Sequence, residues 1–100
     1  MAVYYIGSYD IIDMEAFSKY PQRVLQIIPK YGGKVLASDT EAVVVEGTTR
    51  TMNAIVRFPS LKDAMDCYND PEYQREVKQI RQNSTKNCTM VLVKEFEMPE

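Results

Sequence analysis

Histidine is absent from this chain, and so is tryptophan. Without an imidazole there is no proximal haem ligand, no histidine metal site and no Ser–His or Cys–His dyad. Cysteine is scarce: Cys67 and Cys88 lie far apart and make no Cys-x-x-Cys pair. No bound cofactor, haem or metal is therefore expected. No apolar run approaches the ~20 residues that cross a bilayer. The opening Met1-Ala2-Val3-Tyr4-Tyr5 has no basic stretch leading into an apolar core, so no signal peptide and a cytoplasmic location are expected. In that compartment both thiols stay reduced, and with no cation beside them in sequence they read as inert packing residues. Asn83-Ser84-Thr85 and Asn87-Cys88-Thr89 match the glycosylation pattern, which without a secretion signal carries no weight. An excess of positive charge is also lacking. The net charge is −2 and no Lys/Arg run occurs, so neither nucleic acid nor a membrane is an expected partner.

What is present suits one soluble domain spanning residues 1–100, with 45% apolar and 26% charged residues. A monomer of this size buries only ~60–65% of the surface its unfolded chain exposes. Self-association would add burial.

The clearest punctuation runs from Phe58 to Arg81. Asn53 to Phe58 is rich in strand formers, and Pro59 ends it by having no N–H for a ladder. Ser60 is an N-cap candidate with Asp63 in the first turn. Leu61, Ala64, Met65 and Tyr68 then share one helical stripe. Asn69-Asp70-Pro71 interrupts it, with Asp70 able to cap a second helix whose first residue is Pro71. Tyr73, Val77, Ile80 and Ser84 continue at helical spacing.

Earlier in the chain, Val3 to Tyr9 reads as a strand with large side chains on both faces, and Gly7 marks a bulge or a close approach. Asp13 can cap a helix whose stripe is Met14, Phe17, Pro21, Val24, Ile28 and Tyr31, kinked or restarted at Pro21 and stopped at Gly32-Gly33. Lys34 to Ser38 is a strand that continues, after a turn at Asp39-Thr40, over Ala42 to Glu46. Gly47 to Thr51 is a polar loop, and Met52 to Phe58 and Thr89 to Phe96 are strands. The order β, α, β, β, α, β is that of the ferredoxin-like fold, an α+β class with two helical segments on one face of an antiparallel sheet. The strands are apolar on their other face too, so a second copy packed sheet to sheet is expected.

Tyr31-Gly32-Gly33-Lys34-Val35-Leu36, Val45-Glu46-Gly47, Phe58-Pro59-Ser60-Leu61 and Cys67-Tyr68-Asn69-Asp70-Pro71-Glu72-Tyr73-Gln74 come in an order, with Asp13-Met14-Glu15-Ala16-Phe17, that resembles the bacterial family called domain of unknown function 1330. The resemblance covers nearly the whole chain. It implies a place in the dimeric α/β-barrel superfamily, in which two ferredoxin-like protomers pair their sheets into a barrel, and hence a homodimer. It implies no set chemistry, because that superfamily includes cofactor-free monooxygenases, isomerases, haem-dependent enzymes and plain binders. Arg57 stands where many relatives carry an acid, so no site built on that acid is implied here.

Three groups of residues are candidates for a ligand site. Asn53 and Arg57 share one side of a strand, and Glu46 ends a neighbouring one; an Arg57–Glu46 pair could hold an anion, or be a structural or solvated pair. Among the seven tyrosines, Tyr4, Tyr5, Tyr9 and Tyr20 could face a cavity or simply fill the core. Sequence does not decide between Tyr4 and Tyr5, and Tyr5 is taken as the candidate. Arg81 could clamp a carboxylate or stand exposed on its helix. The reading adopted is a binder of a small, partly apolar anion in a cleft between sheet and helices, with Tyr5, Glu46, Asn53, Arg57 and Arg81 as site residues. The alternatives are a cofactor-free monooxygenase or isomerase acting on a small acid or phenol, and a structural protein with no ligand.

Overall fold

The computed structural model describes residues 1–99. Its strands are β1 (Val3–Ile11), β2 (Lys34–Asp39), β3 (Met52–Phe58) and β4 (Thr85–Lys94). They form one sheet in the order β2-β3-β1-β4, and every neighbouring pair is antiparallel. Between β1 and β2 run α1 (Met14–Phe17), α2 (Lys19–Ile27) and a 3-10 turn (Ile28–Tyr31). Between β3 and β4 run α3 (Leu61–Tyr68), a π-helical turn (Tyr73–Val77) and α4 (Lys78–Ser84). β3 thus lies between β1 and β2, and β1 between β3 and β4. These two interleaved βαβ units are the ferredoxin-like arrangement that the element order predicts.

The helix boundaries follow from local chemistry. The Asp13 carboxylate accepts from the Ala16 amide at 3.0 Å, and the Ser60 hydroxyl from the Asp63 amide at 3.0 Å. Each satisfies an amide that has no partner inside its helix. At Asp70 one carboxylate oxygen accepts from the amides of Glu72 and Tyr73 at 2.9 and 3.0 Å. Pro21 falls in the first turn of α2, where a missing N–H costs nothing, so the first helix restarts instead of breaking. Gly32 ends the 3-10 turn at φ 75°, a left-handed conformation, and a Cβ there would stand 2.8 Å from Pro59 Cγ.

One face of the sheet is covered. Val3, Tyr9, Met52, Val56 and Phe58 meet Phe17, Tyr20, Ile27, Ile28, Ala64, Cys67, Tyr73 and Val77 in a single core. Ile27 and Val77 are wholly buried. The restart at Lys19 turns the buried row of α2 one residue from the expected stripe. Tyr20 and Ile27 go inward, while Pro21 and Val24 are only half-buried. In α3 the buried residues are Ala64 and Cys67, and Leu61, Met65 and Tyr68 are exposed.

The expected continuation over Ala42 to Glu46 is not a strand. Asp39 makes the last β2 pair, with Asn53, and its carboxylate accepts from the Glu41 amide at 2.7 Å, which turns the chain away. A strand-forming sequence without a neighbouring ladder has no partner for its N–H groups. Val43 and Val45 are accordingly 89% and 91% exposed.

Candidate functional site

Strand alternation decides which side chains meet. Val3, Tyr5, Gly7 and Tyr9 of β1 pair with Phe58, Val56, Ala54 and Met52 of β3, all on the helix side. Tyr4, Ile6 and Ser8 pair with Arg57, Ile55 and Asn53 on the opposite side. Tyr5 is therefore the inward member of the Tyr4/Tyr5 pair, and the Tyr4 hydroxyl bonds Glu95 Oε1 at 3.1 Å on the other face.

Between the inner sheet face, α2 and α3 lies an apolar cleft of about 420 Å³. Tyr5, Tyr9, Tyr20, Val24, Met65 and Tyr73 are among its walls, and no charged side chain lines it. Aromatic rings run in a chain from Tyr9 through Phe17 and Tyr20 to Tyr73 and Tyr68, with centroid separations from 5.6 to 6.3 Å. The Tyr20 and Tyr73 hydroxyls share a hydrogen bond of 2.8 Å. Gly7 marks a close approach: the Tyr5 ring lies over it, and a Cβ there would stand 2.7 Å from Tyr5 Cζ. Only a residue without a side chain leaves room for that ring on the sheet.

Arg81 stands beside this tyrosine group. The spacing of Tyr73, Val77, Arg81 and Ser84 puts the arginine on the buried row of the second helical segment, and it is only 4% exposed. It is thus not the solvent-facing helix charge that sequence allowed. Its Nη1 donates to Cys88 Sγ at 3.3 Å, and among the described residues its Nε has no partner. No carboxylate of the described residues pairs with it; the ion pairs are Arg23 with Glu72 and Glu76, and Lys62 with Asp66. Cys88 reaches Arg81 from an irregular stretch of β4. Asn87 takes φ 56° there, and the β1–β4 register shifts between Ser8 and Asp10. A bulge of this kind re-aims a side chain. The fold thus supplies the sulfur with a cation that sequence neighbours do not.

Burial, then the nearby Tyr9 and Tyr73, push the Tyr5 hydroxyl well up, against the pull of Arg81. Burial pushes Tyr9 up to about 12. Burial, and next Tyr73, push Tyr20 well up. All three are neutral O–H groups at neutral pH. For Arg81, burial opposes the charge, while the oxygens of Tyr73 and Tyr20 and the Cys88 sulfur favour it, and the charged form prevails. Burial also pushes the Cys67 thiol up to about 11.

The five residues singled out from sequence do not form one constellation within a protomer. Tyr5 lines the cleft and Arg81 stands behind its tyrosines. Asn53 and Arg57 point to the opposite face of the sheet, and Glu46 is exposed in the segment between β2 and β3. Arg57 lies across from Lys34 and Tyr4. Asn53 donates to Thr49 Oγ1 at 2.9 Å and borders a separate polar recess with Ser8, Asp10 and Arg50. Tyr9 and Tyr20 join Tyr5 in the cleft. Tyr73, read from sequence only as part of a core stripe, is the residue that was missed; its place just inside the Asp70-Pro71 helix start was the available signal. Among the described residues no His/Cys/Asp/Glu group is placed to hold a metal ion, and no helix is long and apolar enough to cross a membrane.

In shape the chain is similar to a protein of unknown function from Rhodopseudomonas palustris, with a TM-score of 0.81 at 17% identity over 97% of this chain and 84% of that one. It is also similar to an uncharacterised NIPSNAP-like domain protein from Burkholderia xenovorans, with a TM-score of 0.65 at 13% identity over 99% and 89% of the two chains. A third likeness is to a dimeric protein of unknown function with a ferredoxin-like fold from Bacteroides fragilis, with a TM-score of 0.59 at 14% identity over 94% and 96%. At such identities the likeness is one of fold alone. A search of curated proteins finds no match. The family model for the domain of unknown function DUF1330 matches residues 2–96, and the chain belongs to that family.

Proposed function

We propose that the protein is a homodimer that binds a small, partly apolar anion in the cleft between sheet and helices. The observation that carries this reading is an apolar cleft of about 420 Å³ whose walls carry the hydroxyls of Tyr5, Tyr9, Tyr20 and Tyr73, with a buried arginine behind those tyrosines that no carboxylate of the described residues neutralises. Small-ligand sites commonly occupy ~300–1,000 Å³ and combine apolar walls with a few convergent polar groups. The uncovered sheet face supports the dimer. Ile6, Val91 and Val93 are exposed there beside Ile55, and the similar Bacteroides protein is described as dimeric. Arg57 and Asn53, on that same face, then belong to the dimer interface or its rim.

An environment-sensitive dye such as anilinonaphthalene sulfonate tests the cleft. Dye fluorescence should rise on binding to the wild type and fall when small apolar acids compete. Val24→Trp, which fills the cleft from α2, should abolish it while leaving circular dichroism unchanged. A dye signal that Val24→Trp does not alter, or no signal at all, refutes the site.

A second reading, cofactor-free turnover of the bound acid, draws on the Tyr20–Tyr73 hydroxyl pair. Two hydrogen-bonded phenols beside a cation are able to relay a proton. Turnover lost in Tyr73→Phe with binding intact would select it.

A further inference from the structure

We infer that Ala42 to Glu46 is an arm that clasps a second copy of this chain, with Glu46 paired to the partner's Arg57 across the dimer. This rests on the homodimer reading above and adds how the two copies are oriented and which residues hold them.

Charge on the uncovered sheet face is the starting point. Lys34 and Arg57 stand directly opposite one another at one end of β2 and β3, on the side of Tyr4 and away from the helices. Like charges facing each other across a ladder repel. Both are exposed, and neither has an ion pair among the described residues. Glu95, on the same face, accepts from the Tyr4 hydroxyl.

The other end of these strands is acidic. Asp39 closes β2 opposite Asn53, and Glu41 and Glu46 follow in the arm. All three are exposed, with no ion pair among the described residues. Asp10 is a fourth carboxylate there; Arg50 shares its polar recess and Lys86 pairs opposite it. The surplus at that end is therefore negative.

The arm rises on the uncovered face. Its return to β3 is pinned there: Asn53 Nδ2 donates to Thr49 Oγ1 at 2.9 Å, and Asp10 Oδ1 accepts from the Thr51 amide at 3.0 Å. Thr48 and Thr49 line the recess with Ser8 and Thr89 of that face. Val43, Val44 and Val45 are all exposed. An apolar run that the protomer leaves in water marks an interaction site.

Charge selects the occupant and its orientation. One face carries both halves of the complement, so a second copy fits it. A two-fold axis running across the strands near Ile6 and Ile55 lays the acidic end of β2 and β3 over the partner's cationic end. An axis along the strands sets like over like. The first axis stacks β2 and β3 on the same strands of the partner, and it brings Glu46 to the partner's Arg57 twice, once on each side of the axis. The Arg57–Glu46 pair that sequence suggested, and that the protomer does not form, is then made between protomers.

Charge reversal followed by sedimentation velocity tests the clasp. Arg57→Glu and Glu46→Arg should each weaken the dimer at least ~10-fold, because each sets like charges together at two symmetric contacts. The double variant exchanges the pair and should return to within ~3-fold of wild type; such recovery isolates a direct contact. Val43→Ser with Val45→Ser should weaken the dimer at least ~10-fold through lost apolar burial. All these residues are exposed, so every variant keeps the fold, which circular dichroism checks. Single variants as tight as wild type, or a double variant that does not recover, would overturn the pair. A dimer indifferent to the valine changes would overturn the arm. In either case a dimer that Ile6→Lys still dissociates leaves the homodimer reading standing. A wild type that is monomeric at micromolar concentration would remove that reading and the clasp together.

Discussion

Asp70→Ala should cost about 2 kcal/mol of folding stability. An N-cap oxygen is worth ~0.5–2 kcal/mol. Asp70 belongs at the upper end because one of its oxygens serves two amides, those of Glu72 and Tyr73. Its other oxygen accepts from the Tyr31 hydroxyl at 2.6 Å, which ties the 3-10 turn before β2 to the start of the second helical segment. Urea denaturation measures the loss. With a slope of ~1–2 kcal/mol per molar urea, the midpoint should fall by ~1–2 M. Asp70→Asn, which keeps an acceptor for the cap, should lose clearly less.

The pH dependence gives an independent check. The Tyr31 hydroxyl first, then the amides of Tyr73 and Glu72, hold the Asp70 carboxyl below its ordinary value, against the effect of burial. A lowered carboxyl contributes stability above its unfolded value of ~3.9 and loses it as pH falls through the folded value. The gap between wild type and Asp70→Ala should therefore be full at neutral pH and shrink below about pH 4. Tyr31, pushed up to about 12 first by its bond to Asp70, behaves oppositely, and its contribution is lost as pH rises above ~10. A midpoint shift in Asp70→Ala below ~0.5 M urea, or a gap unchanged at pH 3, would refute this account of the helix start.

Gly7→Ala should destabilise by ~1–3 kcal/mol, the usual range for overpacking, because the new methyl displaces the Tyr5 ring. It should also weaken ligand binding, and a variant with wild-type melting and binding would show that Tyr5 does not depend on that gap. Ile6→Lys puts a charge at the centre of the uncovered sheet face, opposite Ile55 and Val91. Light scattering should give a dimer for the wild type and a monomer for the variant at the same micromolar concentration, and a monomeric wild type would end the dimer proposal.

Much of the fold was legible because it is written in local rules. Asp13, Ser60 and Asp70 are helix starts by the chemistry of their own side chains, and Pro59 and Gly32 are stops by theirs. The alternation along β1 and β3 gives two faces without any knowledge of a partner. Where the reading failed, the deciding interaction came from elsewhere in the chain. Ala42 to Glu46 has strand-forming residues, yet a strand needs a ladder, and the turn at Asp39 takes this segment away from β3. The site was less legible for the same reason. Glu46, Asn53 and Arg57 are polar residues near or within strands, but which sheet face the helices cover is a tertiary fact, and it puts Asn53 and Arg57 on the face away from Tyr5. Sequence supplied Tyr5, Gly7, Tyr73, Arg81 and Cys88 as separate residues. Only the packing of the second helical segment across β1 and the bulge in β4 gathered them, because burial and the meeting of distant groups depend on contacts that no local spacing encodes.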